Sequence, residues 1–97
     1  MRPKYAARVD DNESEIIQAL ESIGCDVIRI GKPVDLLVGY RKRNFLIEVK
    51  NPDNSYAGTD EQKEFIRDWR GQVRIVETAM EAITLVTKAY GGGRVCD

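Results

Sequence analysis

Asp35, Glu48 and Lys50 are the residues of this chain whose types and spacing point to chemistry. They lie in Pro33-Val34-Asp35-Leu36-Leu37-Val38-Gly39-Tyr40, then the polar Arg41-Lys42-Arg43-Asn44, then Phe45-Leu46-Ile47-Glu48-Val49-Lys50. A short polar stretch between two apolar runs predicts a β-hairpin. Folded there, the hairpin sets Asp35 close to opposite Glu48 on adjacent strands. Residues two apart on a strand share a face, so Lys50 points the same way as Glu48. Two carboxylates and an ammonium then converge on one side of a small sheet. Such carboxylates suit Mg²⁺, which takes oxygen ligands and is often shared with substrate phosphates. The carbonyl of Val49 is a further oxygen open to a hard cation. A lysine beside such an ion can position or deprotonate a water, and phosphodiester hydrolysis requires those parts.

An acid within an apolar strand is costly unless it is paired or bound to metal. Two acids in adjacent strands, in register with a same-face lysine, are poorly explained as a solvated surface. Other candidates have structural explanations of their own. Glu13 and Glu15 open a helix, where the dipole favours acids whatever their function. Gln62 is explained by helix capping, yet it also lies in the first turn after the loop that follows Lys50, where it can face a metal or phosphate. Tyr56 stands in that polar loop and is a candidate for touching substrate. Phe65, Ile66 and Trp69 read as core rather than as a base-stacking platform. Arg41, Lys42 and Arg43 at the hairpin tip, and Lys63 with Arg67 and Arg70, are the local basic clusters. Backbone phosphates are bound by residues of this kind.

The composition restricts the alternatives. With 15 basic and 16 acidic residues the formal net charge is -1, so bulk charge cannot attract nucleic acid. There is no histidine, which excludes His-ligated metals and Ser-His or Cys-His catalysis. Cys25 and Cys96 are too far apart in sequence to suggest zinc and read as reduced thiols. No signal peptide and no membrane-length apolar run occurs, which predicts a cytoplasmic protein. The length of 97 residues predicts one domain, with a modest core that oligomerisation would supplement.

The elements that must position these residues follow in order. Residues 1–11 read as a loose basic arm, with Asp11 or Asn12 capping a helix that starts at Glu13. Ile16, Ile17, Leu20 and Ile23 recur at helical spacing, and Gly24 stops the helix. Cys25 to Ile30 reads as a strand and residues 34–50 as the hairpin. Asn51 to Gly58 is turn-rich, and Thr59 with Gln62 forms a capping box for a second helix. Gly71 ends that helix, and Gln72 to Glu77 is a fourth strand. Thr78 then caps a third helix with Met80, Ile83 and Val86 on its apolar side, closed by Gly91-Gly92-Gly93 and a flexible tail over 91–97. The order α-β-β-β-α-β-α predicts an α/β domain. Its small mixed four-stranded sheet is flanked by helices, and a right-handed βαβ crossover runs through the second helix.

The chain resembles the PD-(D/E)xK nuclease superfamily, whose core is restriction-endonuclease-like. Within it the chain looks most like the stand-alone VRR-NUC domains of phages and bacteria, and next like archaeal Holliday-junction resolvases. The likeness spans about Glu13 to Val86. It rests on Glu13-Ser14-Glu15-Ile16-Ile17 with Leu20, then Gly24, Val27 and Arg29. It continues with Asp35 before an apolar strand, Ile47-Glu48-Val49-Lys50, Thr59 with Gln62, and Gly71 to Val76. One departure is that Val34 separates Pro33 from Asp35, where the family places Pro directly before the Asp.

The resemblance implies that Asp35, Glu48 and the Val49 carbonyl hold Mg²⁺ or Mn²⁺ and that Lys50 orients the attacking water. Glu13 matches the helix-one acid better than Glu15, and Gln62 matches the helix-two glutamine. It further implies a homodimeric endonuclease selective for four-way or other branched DNA, in the host cytoplasm if phage-encoded. The alternatives are a catalytically silent DNA-binding or scaffold subunit of the same fold, and a purely structural α/β interaction domain.

Overall fold

The computed structural model describes residues 4–51 and 58–92. The elements are α1 (Lys4–Ser22), β1 (Asp26–Arg29), β2 (Leu36–Tyr40), β3 (Arg43–Val49), α2 (Asp60–Asp68), β4 (Arg74–Val76) and α3 (Ala79–Gly92). The expected α-β-β-β-α-β-α order and mixed sheet are present. Strands lie in the order β1-β2-β3-β4. β1, β2 and β3 pair antiparallel, and β4 joins β3 in parallel after the α2 crossover.

Both outer helices run further than the sequence pattern predicts. α1 begins at Lys4, so residues 4–11 are helical rather than a loose arm, and Asn12 is a mid-helix residue rather than a cap. Ala6, Ala7 and Arg8 are strong helix formers, and no breaker follows Pro3. α3 continues through Gly92, so Gly91 and Gly92 belong to its last turn rather than to a tail. α1 ends in a Schellman motif: Cys25 N–H donates to Leu20 O at 3.0 Å and Gly24 N–H to Glu21 O at 3.1 Å. Gly24 sits at φ 101°, which a side chain would strain.

The core lies on one face of the sheet. Leu36 and Val38 of β2, Phe45 and Ile47 of β3, and Val76 of β4 meet Ile16 and Leu20 of α1 and Ala82 and Val86 of α3. Val34 is also buried, continuing the inward alternation of Leu36 and Val38. An apolar residue between Pro33 and Asp35 therefore keeps Asp35 on the opposite, open face. Cys25 is free and buried, and burial with nearby Asp26 pushes its thiol pKa up, which makes it inert. Cys96 lies outside the described residues. Among the described residues no helix is long and apolar enough to cross a membrane.

The core reading of the second helix does not hold. α2 contains no buried residue. Phe65 and Ile66 are half-buried, and Trp69, its C-cap, is 47% exposed against Phe65, with ring centroids 4.8 Å apart. Of the expected apolar side of α3, Val86 is buried beside Ala82 and Ile83 packs against the core, but Met80 is 73% exposed.

The hairpin turn is tighter than the polar stretch suggests. Tyr40 pairs with Arg43, leaving only Arg41 and Lys42 in the loop. Both have positive φ, 53° and 68°, as a type I′ turn requires. Two non-glycine residues there carry strain. Replacing Arg41-Lys42 with Asn-Gly is expected to stabilise the protein by about 1 kcal/mol, read as a rise of several degrees in a thermal melt.

Candidate active site

The hairpin register builds the centre of the site. Leu36 pairs with Ile47, so one step further Asp35 stands opposite Glu48. Asp35 is fixed through its backbone and its side chain. Its carbonyl accepts from Ile30 N–H at 2.9 Å and from Gly31 N–H at 3.2 Å, closing the β1–β2 loop onto it. Its Oδ2 accepts from Val49 N–H at 2.8 Å. The N–H and C=O of one strand residue point to the same neighbouring strand, so the Val49 carbonyl is directed to the Asp35 side.

Glu48 carries the electrostatic tension of the site. Its Oε1 is buried with no hydrogen-bond partner. Burial first, then the charge of Asp35 and a side-chain hydrogen bond to it, push the Glu48 carboxyl up to about 7; Glu13 adds to this, and a hydrogen bond involving the Asp35 backbone opposes it. Two carboxylates sharing a half-buried space favour one proton between them. A cation would replace that proton, with the unpartnered Glu48 Oε1 as one of its oxygen ligands.

The donor set suits a hard cation. Among the described residues no cluster of three or more acidic or cysteine side chains forms a complete protein cage. Mg²⁺ does not need one, since it commonly binds one or two carboxylates and fills its shell with water and substrate phosphate. Asp35 and Glu48, with the Val49 carbonyl, fit that pattern.

Lys50 follows β3 directly. Its N–H donates to Val76 O at 2.8 Å, and its carbonyl accepts from Asn12 Nδ2 at 3.0 Å. Its side chain is exposed and, among the described residues, forms no ion pair. Glu13 of α1 faces β1, where its Oε2 meets Arg29 Nε at 3.1 Å, and Arg29 also donates to the Ser14 hydroxyl at 3.2 Å. Glu15 is exposed and does not line the site, so Glu13 is the helix-one acid that reaches it.

These residues line one open groove of about 1090 Å³. Asp35, Glu48, Val49 and Lys50 meet there with Asn12 and Glu13 of α1. The Gly31-Lys32-Pro33 loop, whose Lys32–Pro33 peptide is cis, contributes another part of the lining. α2 contributes Gln62, Lys63 and Arg67. Gln62 is at the groove, but its Oε1 accepts from Thr59 N–H at 3.3 Å while Thr59 Oγ1 accepts from Gln62 N–H at 3.1 Å, so capping occupies that oxygen.

Three candidates are not brought together with the rest. Arg41, Lys42 and Arg43 lie at the far end of the hairpin from Asp35, and five strand residues at ~3.4 Å each separate them by about 17 Å. Arg41 instead lies over the Tyr40 ring at 5.3 Å. Tyr56 lies outside the described residues. The structure adds Asn12 and Lys32 to the lining and places Arg67 of the expected basic cluster there. Lys32 had a signal in the Gly-Lys-Pro turn just before Asp35, and Arg67 in its spacing of four from Lys63 on one helix face. Arg67 is also paired with Asp68 at 2.9 Å on the exposed side of α2.

Comparison of the chain with protein-family models, with curated proteins and with solved structures finds no match.

Proposed function

We propose that this protein is a Mg²⁺- or Mn²⁺-dependent endonuclease that hydrolyses phosphodiester bonds in branched DNA. The observation that carries the reading is the orphaned Glu48 Oε1 beside Asp35, with Lys50 next along the chain, in a groove bordered by cations. Asp35 and Glu48 would hold the ion, with the Val49 carbonyl as a third oxygen. When bound, the ion supplies Lewis-acid polarisation of a phosphoryl oxygen and neutralises developing charge. Lys50 presents up to three N–H donors in the groove, enough to orient a water and contact a phosphate oxygen together. Lys32, Lys63 and Arg67 attract the flanking phosphates without reading bases, so selection among substrates falls to DNA shape.

The proposal includes a homodimer. Two sites related by a two-fold axis would cut a four-way junction symmetrically. Exposed Ile28, Ile75, Trp69 and Met80 supply apolar surface for a second copy. A silent DNA-binding subunit is the second reading, favoured by the finding that among the described residues no three acidic or cysteine side chains are placed to hold one metal together, Glu13 being turned to Arg29.

A gel assay with Mg²⁺ or Mn²⁺ on duplex, flap, single-stranded and four-way-junction DNA separates the two. Junction-selective cutting that vanishes in Asp35→Ala supports the nuclease. DNA binding with no cutting of any substrate, and no heat of metal binding by calorimetry, supports the silent subunit.

A further inference from the structure

We infer that Asn12 is a positioning residue for Lys50. This rests on the proposed role of Lys50, and it identifies how the fold holds that side chain in place. Asparagine is a poor helix former that prefers caps, yet Asn12 sits well inside α1. Such a residue persists where a tertiary contact compensates. Here that contact is the hydrogen bond from Asn12 Nδ2 to the Lys50 carbonyl, 3.0 Å long and spanning 38 residues.

Lys50 has need of this contact. β3 ends at Val49, so Lys50 is the first residue beyond the strand. On the β4 side only its N–H is held, by Val76 O at 2.8 Å. Its carbonyl marks the point where the chain leaves the sheet, and Asn12 holds it from α1. With both groups bound, rotation of the Lys50 peptide units is blocked and its side chain emerges in one direction, into the groove that Asp35 and Glu48 also line. The neighbouring turn of α1 is anchored independently through the Glu13–Arg29 ion pair and the Ser14–Arg29 hydrogen bond. Loss of the Asn12 amide therefore leaves α1 docked and frees Lys50 alone.

The test uses Asn12→Ala, which improves helix propensity while removing the donor, and Asn12→Leu, which keeps the side-chain shape. Backbone ¹⁵N relaxation reads the Asn51 amide, which shares the peptide plane of the Lys50 carbonyl, without any need for activity. Its order parameter is expected to fall from about 0.85 toward about 0.6 in both variants, with α1 amides unchanged. On a four-way junction with Mn²⁺, kcat is expected to fall about 10–100-fold while KM stays within about twofold. Unchanged order at the Asn51 amide and unchanged kcat in both variants would overturn the inference, as would a rise in KM at constant kcat, which would make Asn12 a substrate contact. If the unmodified protein cuts no DNA, the nuclease reading fails, and the order parameter alone decides whether Asn12 holds Lys50.

Discussion

Lys50→Ala is expected to lower the cleavage rate on the order of 10³-fold while leaving DNA affinity within a few-fold of the parent. The size follows from what one positioned proton-transfer or water-orienting group contributes, roughly 10²–10⁴-fold. The selectivity follows from the surroundings. Among the described residues Lys50 is one of four cations at the groove, with Lys32, Lys63 and Arg67, so its loss removes a minor share of phosphate attraction. It makes no ion pair among the described residues, so its removal leaves no unpaired partner and the melting temperature should hardly move. Single-turnover cleavage and a binding titration on the same junction check both halves. A Lys50→Ala protein that cuts at the parental rate would remove Lys50 from the mechanism.

Glu48→Gln is expected to abolish metal binding and cleavage while making the metal-free protein more stable above neutral pH. The Glu48 carboxyl has an ordinary value of 4.5 and is pushed up to about 7 in the fold, by burial first and by Asp35 second. Between those values the native state binds more protons than the unfolded chain, so stability falls as pH rises. The protonated carboxyl's contribution is fully present below about 4.5 and is lost as pH climbs through about 7. At pH 8 the parent therefore keeps two repelling carboxylates together. Glutamine removes that repulsion, and after allowance for solvent screening of a half-buried group the gain is about 1–2 kcal/mol. Melts of the two proteins at pH 5 and pH 8 without metal should show the gain only at the higher pH. For the parent, metal affinity and cleavage should both rise as pH increases through about 7, because the cation competes with the proton on Glu48.

The legibility of the site follows the distance over which each part is assembled. Asp35, Glu48 and their alignment were readable because they lie on one hairpin, where alternation and a polar interruption fix the register locally. The polar stretch predicts a four-residue turn, since positive φ at Arg41 and Lys42 has no glycine to announce it. Sequence proximity places the basic tip with the site, but the rigid strand between carries it away. Apolar spacing at Phe65, Ile66 and Trp69 predicted burial, yet periodicity alone cannot say whether another layer exists to cover that face. The intrinsic preference of Asn12 predicts a cap, and a partner 38 residues away overrides it. Residue types indicated the chemistry, and tertiary contacts determined which of them share a groove.

The contacts that complete the groove differ in how far apart they lie in the chain, and this orders their appearance during folding. The bond between Asp35 and Val49 spans 14 residues inside a hairpin, a structure that closes in roughly microseconds. The bond that holds Lys50 to α1 spans 38 residues and must wait until the helix docks. A chain emerging from the ribosome thus acquires its acidic pair early and its fixed lysine late. On the proposed function, an incompletely folded copy would bind cations before it could cut, and cleavage would wait for the docked helix.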